Sequence, residues 1–162
     1  MAKIAFLYPG QGSQQPGMGA DLLTDPEVSE LCDQCATAAD VDLRHLLTSA
    51  SDDELRLTQN AQPALCFVGL GLTLLLKRRG LEPVAAAGHS VGEYTALAVS
   101  GAVTAPRVIK AVVERGKAMA EAAPAGTGSM AAVLGLDSQG VEAALAGMND
   151  AWPANYNTPT QT

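Results

Sequence analysis

The apolar positions of the chain form short runs and longer periodic segments that alternate along the sequence. Short apolar runs at residues 4–7 and 83–87 are each followed by a glycine-rich turn, which is typical of buried parallel strands. Apolar residues recur with helical spacing at residues 60–79, 93–99 and 105–122. Strands that alternate with helices predict an α/β fold with a mostly parallel sheet and flanking helices.

Capping residues indicate where several of these helices begin and end. Asp25 is followed by Pro26, the pattern of an N-cap with proline at the first helical position. Ser51 and Glu54 have the spacing of a capping box, so a short helix is expected to begin there. Gly80 follows three basic residues and indicates the C-terminal end of the long apolar helix.

A separate pattern occupies residues 125–162. Residues 129–136 predict a strand, Asp137 predicts a helix N-cap, and residues 152–157 predict a second strand. A unit with two strands and one helix is too small to bury both faces of its sheet. We therefore expect residues 1–124 to belong to the main core and the remainder to begin a second, smaller domain.

Composition and charge narrow the class of protein. The chain has 162 residues, of which 48% are hydrophobic and 17% charged, as in a globular domain. Its net charge of −7 argues against bulk attraction to nucleic acid or to an anionic membrane. The longest apolar stretch, residues 64–76, is shorter than the ~20 residues of a membrane span, and the N-terminus does not resemble a signal peptide. We expect a cytoplasmic protein.

Cysteine and histidine are scarce. Three cysteines give an odd number, which argues against a disulfide framework. Cys32 and Cys35 have C-x-x-C spacing, but no second pair follows at the spacing of a zinc site, so two packed thiols are expected. Only two histidines, His45 and His89, are present, and this excludes a histidine-rich metal site. We expect neither a metal ion nor a bound redox cofactor.

The segment Gly88-His89-Ser90-Val91-Gly92 lies between a predicted strand and a predicted helix. Gly-x-Ser-x-Gly in that setting is typical of a nucleophile elbow, in which a sharp turn lifts the serine hydroxyl off the end of a sheet. Glycine is needed on both sides because strand and helix approach closely there. Backbone N–H groups at the helix N-terminus can stabilise an oxyanion.

Two further features have more than one interpretation. The glycine-rich loop at residues 10–19 fits neither a phosphate loop nor a dinucleotide fingerprint, so it is either a ligand loop or an ordinary surface loop. Arg115 lies in the middle of the apolar face that Val108, Val112 and Met119 form on their helix. It is either paired with an internal carboxylate or held ready for the carboxylate of a substrate.

Four motifs of the chain resemble, in order, those of the malonyl-CoA:acyl carrier protein transacylases and related acyltransferases. They are Phe6-Leu7-Tyr8-Pro9-Gly10-Gln11-Gly12-Ser13-Gln14, Gly88-His89-Ser90-Val91-Gly92-Glu93-Tyr94, Arg115-Gly116-Lys117-Ala118-Met119 and Gly126-Thr127-Gly128-Ser129-Met130-Ala131-Ala132. The tail at residues 154–161 is similar as well, so the resemblance covers essentially the whole chain.

The resemblance implies a role for five residues. Ser90 resembles the nucleophile that is acylated. Gln11 and Val91 resemble the residues whose backbone N–H groups form the oxyanion hole. Arg115 resembles the arginine that pairs with the malonyl carboxylate, and His89 resembles a substrate-pocket residue beside the nucleophile.

The resemblance also implies a fold and a reaction. The family has an α/β-hydrolase-like core with an inserted ferredoxin-like subdomain, which would start near Gly126. Its members transfer a malonyl group from malonyl-CoA to the phosphopantetheine thiol of acyl carrier protein, in fatty acid or polyketide synthesis. A serine esterase or thioesterase, or a non-catalytic fragment that docks to carrier protein, are the alternative interpretations.

One part of the family pattern has no counterpart in this chain. The family's catalytic histidine lies in its C-terminal half, and neither His45 nor His89 occupies that position. We therefore expect the C-terminal half of the same enzyme as a second polypeptide partner, and no stable, active monomer without it. Without that partner, the face formed by Val108, Val112 and Met119 is expected to be exposed to water.

Overall fold

The structure is a computed structural model that describes residues 3–124 and 126–162, and the chain divides into two compact units, Met1–Pro124 and Ala125–Thr162. The elements of the first unit are β1 (Ala5–Tyr8), a 3-10 turn (Leu22–Thr24), α1 (Pro26–Ala39), α2 (Leu43–Thr48), α3 (Asp52–Arg56), α4 (Thr58–Arg78), β2 (Ala85–Gly88), α5 (Gly92–Val99) and α6 (Ala105–Ala122). Helix α7 (Ser138–Leu145) belongs to the second unit.

Strands β1 and β2 pair in parallel, as the alternation of strands and helices predicts. Tyr8 lies opposite Gly88, so both strands end at the same edge of the sheet. The backbone N–H of His89 extends this pairing by donating to the carbonyl oxygen of Tyr8 at 3.0 Å. The loops that follow the two strands therefore leave the sheet side by side.

Helix α4 is the central helix of the first unit and packs against α1, α5 and α6. Gly69 of α4 permits α5 and β1 to approach α4 closely, because a Cβ atom at Gly69 would lie 2.8 Å from Thr95 Cγ2 and 3.0 Å from Tyr8 Cδ1. By length and composition α4 could cross a membrane, with a mean hydropathy of 1.2, but 56% of that window is buried within the protein. Packing in the core accounts for its apolar composition.

The predicted helix ends are confirmed by their hydrogen bonds. Asp25 Oδ1 accepts from the backbone N–H groups of Glu27 and Val28. Ser51 and Glu54 form the reciprocal bonds of a capping box. Gly80, at a φ of 80°, follows α4, and its N–H donates to the carbonyl oxygen of Lys77. These local signals depend on a few neighbouring residues, which is why the sequence locates them well.

The three cysteines are buried as free thiols in the core of the first unit. Burial raises the pKa of Cys32 to about 11 and those of Cys35 and Cys66 to about 12. They are therefore neutral at physiological pH and lack the thiolate character that reactivity requires. The C-x-x-C pair consists of two packed thiols, as expected.

The expectation that Val108 and Val112 are exposed is wrong. The two side chains are 2% and 0% exposed, because α6 packs them against α1 and α4 within the first unit. Only Met119, at 42% exposure, fits that expectation. Large exposed apolar side chains lie instead on and beside the sheet, at Leu7 and Val84. We still predict that this chain by itself does not form a stable, active monomer.

The second unit differs from its predicted β-α-β pattern. Helix α7 begins after Asp137, whose side chain accepts from the N–H of Gly140, as predicted. The strands predicted at residues 129–136 and 152–157 are absent from the described residues 126–162, where only isolated bridges of Gln161 to Leu134 and Thr158 occur. Gly135, at a φ of 87°, turns the chain away from the extended conformation, and a lone pair of short strands is only marginally stable.

Candidate active site

The turn between β2 and α5 has the geometry of a nucleophile elbow. Ser90 has a φ of 53°, a left-handed conformation that is uncommon for a residue with a side chain. A Cβ atom on Gly88 would lie 1.9 Å from the carbonyl carbon of Gly92, and one on Gly92 would lie 2.3 Å from the carbonyl oxygen of Tyr8. Both glycines are thus required by close backbone contacts, and the turn holds Ser90 exposed at the sheet edge.

The loop after β1 packs directly on this elbow. A Cβ atom on Gly10 would lie 2.6 Å from Nδ1 of His89, so a larger residue at position 10 would displace the imidazole ring. The next residue, Gln11, anchors its side chain through Nε2, which donates to Thr58 Oγ1 at the start of α4 at 3.1 Å. The structure therefore favours the ligand-loop interpretation of residues 10–19, since the loop lies beside the serine.

Arg115 reaches the nucleophile from α6. Its Nη2 donates to Ser90 Oγ at 3.0 Å, and its Nη1 donates to Oε1 of Gln62 on α4. The guanidinium carbon also lies 5.8 Å from the centroid of the Tyr94 ring, within the range of a cation–π contact. Among the residues that the structure describes, no carboxylate forms an ion pair with Arg115, so the internal ion-pair interpretation is wrong for this part of the chain.

The sequence did not predict a separate role for two residues of the site, Gln62 and Tyr94. Gln62 is 1% exposed and Tyr94 is half-buried beside the arginine. A signal for Gln62 was available, because it is the last amide before the long apolar run of α4 and has Ala61 and Pro63 on either side. A polar group in that position needs a hydrogen-bond partner, but the sequence does not say that the partner is Arg115.

The two histidines lie in different surroundings. His89 stands in the elbow, beside Ser90 and against Gly10. His45 lies on α2, where Nε2 is 3.2 Å from Glu54 Oε1. Ser90 Oγ accepts a hydrogen bond from the Arg115 guanidinium, which only donates hydrogen bonds and cannot accept the serine proton.

The two backbone N–H groups predicted to form the oxyanion hole belong to Val91 and Gln11. Val91 is 1% exposed and caps α5, while Gln11 stands in the neighbouring loop. Within residues 3–124 and 126–162, no hydrogen bond from the backbone N–H of either residue is found. The same described residues contain no group of three or more His, Cys, Asp or Glu side chains that could hold a metal ion.

An α/β fold that presents a serine elbow, with an arginine at the serine hydroxyl, is consistent with the acyltransferase resemblance of the sequence. The acyl transferase domain family matches residues 5–162, so the chain belongs to this family. It is 43% identical over 143 residues to the malonyl CoA-acyl carrier protein transacylase of Bacillus subtilis, covering 88% of this chain and 45% of that protein. With the corresponding protein of Escherichia coli it shares 38% identity, covering 99% of this chain and 54% of that protein.

Solved structures give the same result. An acyl carrier protein S-malonyltransferase from Vibrio cholerae has a TM-score of 0.85 and 36% identity, covering 99% of this chain and 54% of that one. A malonyl-transacylase in complex with its type II PKS acyl-carrier protein has a TM-score of 0.88 and 36% identity, covering 99% and 53%. The chain thus has the α/β acyltransferase fold predicted for it and spans about half the length of the relatives it matches.

Proposed function

We propose that this chain carries the nucleophile and the carboxylate-binding arginine of a malonyl-CoA:acyl carrier protein transacylase. The observation that carries the proposal is the 3.0 Å hydrogen bond from Arg115 Nη2 to Ser90 Oγ, made by a guanidinium that pairs with no carboxylate among the described residues. A malonyl group has a carbonyl for the serine and a carboxylate for the arginine. A neutral ester has no such anion, so an esterase is disfavoured.

The proposed reaction has two acyl transfers. Ser90 Oγ loses its proton to a base and attacks the thioester carbonyl of malonyl-CoA, and the C–S bond breaks so that coenzyme A leaves as the thiol. The phosphopantetheine thiol of acyl carrier protein then attacks the malonyl-serine ester and regenerates the Ser90 hydroxyl. Since Arg115 cannot act as base, we propose that a histidine of the C-terminal half of the enzyme, a second polypeptide, takes the proton.

The N–H groups of Gln11 and Val91 are proposed to stabilise the oxyanion of each tetrahedral intermediate. Their support is that both loops leave the same sheet edge and that neither N–H makes a hydrogen bond within the described ranges. His89 is proposed to line the substrate pocket beside Ser90. No metal or redox cofactor takes part in this chemistry, with malonyl-CoA as substrate and coenzyme A as product.

The partners and the setting are part of the same proposal. Acyl carrier protein is the acceptor, supported by the relative that was solved in complex with one. Residues 125–162 are proposed to begin a ferredoxin-like subdomain inserted into an α/β-hydrolase-like core. The protein is proposed to act in the cytoplasm in fatty acid or polyketide synthesis, without nucleic-acid or membrane binding.

Covalent labelling of Ser90 tests the proposal. The complete enzyme, incubated with malonyl-CoA and no acceptor, is expected to gain one malonyl group on the peptide that contains Ser90, as measured by peptide mass spectrometry. Ser90→Ala should gain none. Ser100→Ala is the matched control, since its exposed hydroxyl only donates to the Leu97 carbonyl oxygen at 2.9 Å, and it should label as the parent does. Labelling that survives in Ser90→Ala would refute the nucleophile.

A further inference from the structure

Gln62 is a buried side chain that the proposed mechanism does not use. It lies on α4, is 1% exposed, and has both ends of its amide hydrogen-bonded to α6. Its Oε1 accepts from Arg115 Nη1, and its Nε2 donates to Met119 Sδ at 3.2 Å. Arg115 and Met119 are one helical turn apart, so a single amide spans one turn of α6 beside the nucleophile.

The contact between α4 and α6 is tight at this point. A Cβ atom on Gly116, the neighbour of Arg115, would lie 2.8 Å from the Cα atom of Gln59. On α4, Gln62 lies one turn after Thr58, which accepts the side-chain bond of Gln11. One face of α4 therefore holds both the loop after β1 and the arginine, and the amide of Gln62 has little freedom to turn.

The acceptor that Gln62 offers to Arg115 is an uncharged amide oxygen, and its lack of charge matters for the arginine. A guanidinium has five N–H donors, and Gln62 and Ser90 each occupy one of them here. A carboxylate at the position of Gln62 would satisfy the same donor but would also neutralise the arginine in a partly desolvated site. An amide oxygen orients the guanidinium without opposing its charge, and leaves the remaining donors for an anion.

We propose that Gln62 is a positioning residue that sets acyl specificity. It holds the Arg115 fork beside Ser90 through a neutral acceptor and so keeps the full positive charge for the carboxylate of the incoming acyl group. This inference rests on the proposed transacylase function and extends it to a residue whose amide bonds to Arg115 and Met119. Replacement of the neutral acceptor by a charged one should therefore change selectivity rather than abolish catalysis.

The test compares the selectivity of the complete enzyme across three variants. The measured quantity is the ratio of kcat/KM for malonyl-CoA to that for acetyl-CoA. Gln62→Glu, which supplies an internal partner for Arg115, is expected to lower the ratio at least about tenfold. Gln62→Met removes the acceptor without adding charge, and should raise KM for malonyl-CoA several-fold while KM for acetyl-CoA stays unchanged.

Thr73→Val is the matched control on the same helix. Thr73 is 5% exposed and hydrogen-bonds to the Tyr8 hydroxyl at 2.7 Å, so the substitution also removes a buried polar contact. It should lower the melting temperature and leave the selectivity ratio unchanged. If Gln62→Glu fails to fold, Gln62→Met decides the question by its KM for malonyl-CoA.

The assay distinguishes failure of the proposed transacylase function from failure of the role of Gln62. A parent enzyme with no preference for malonyl-CoA would overturn the proposed function itself. A parent with that preference, together with Gln62 variants that lose activity equally on both thioesters or keep the parental ratio, would overturn the role of Gln62 alone.

Discussion

The two units of the chain differ in how far their own residues bury one another. In the first unit, several helices enclose side chains such as Phe67 and Ile109, both 0% exposed. Among the described residues of the second unit, Val141 alone counts as buried, whereas Met130 and Trp152 are 77% and 75% exposed. Burial of apolar area is the main source of stability, at about 25 cal/mol per Å². The first unit therefore has a core of its own, whereas the described residues 126–162 do not form one.

The difference matters for function because every candidate site residue belongs to the first unit. Ser90, Arg115 and Gln62 stand on elements that pack against one another in that core. Site geometry of this kind needs rigid support, since small displacements of reacting groups lower rates strongly. The second unit falls within the family match as well, but its large apolar side chains Met130 and Trp152 are mostly exposed.

The largest expected effect comes from glycine substitution at the elbow. Gly88→Ala puts a Cβ atom 1.9 Å from the Gly92 carbonyl carbon, so the backbone of the elbow itself must move to accept it. We expect a loss of more than about 4 kcal/mol in the free energy of unfolding, measured by urea denaturation. Gly128→Ala in the second unit is the control, because nothing lies within 4 Å of the added atom, and its unfolding curve should match that of the parent.

Truncation of large side chains gives a smaller effect that compares the units directly. Phe67→Ala leaves a cavity in the first unit and should destabilise it by about 3–5 kcal/mol. Trp152→Ala removes a side chain that is 75% exposed and should change the free energy of unfolding by less than about 0.5 kcal/mol. Equal losses in both variants would show that the second unit has a core comparable with that of the first.

Local patterns explain how much of this structure the sequence could predict. Caps at Asp25 and Ser51 and the elbow at Ser90 depend on a few adjacent residues, and the sequence predicts them close to their observed positions. The parallel pairing of β1 and β2 is not local, and it is predicted from the alternation of strands and helices. Strand formation at residues 129–136 depends on a neighbour along its length, which a sequence pattern does not supply.

The contacts of Arg115 within the site could not be predicted from a local sequence pattern either. Helical periodicity placed the arginine on an apolar face, but its partners lie on other elements. Gln62 precedes it by 53 residues and Ser90 by 25, so only the packing of α4, α5 and α6 brings them together. Periodicity likewise could not show that α1 and α4 already cover Val108 and Val112.

The central claim is that Ser90 and Arg115 form one site that selects a carboxylate-bearing acyl group, and Arg115→Ala tests it most directly. The complete enzyme should be assayed on malonyl-CoA and acetyl-CoA side by side. Loss of a charged contact of this kind is worth roughly 2–5 kcal/mol, so kcat/KM for malonyl-CoA should fall about 30-fold or more while that for acetyl-CoA falls far less. Equal losses on both thioesters would contradict the account and leave Arg115 with a structural role only.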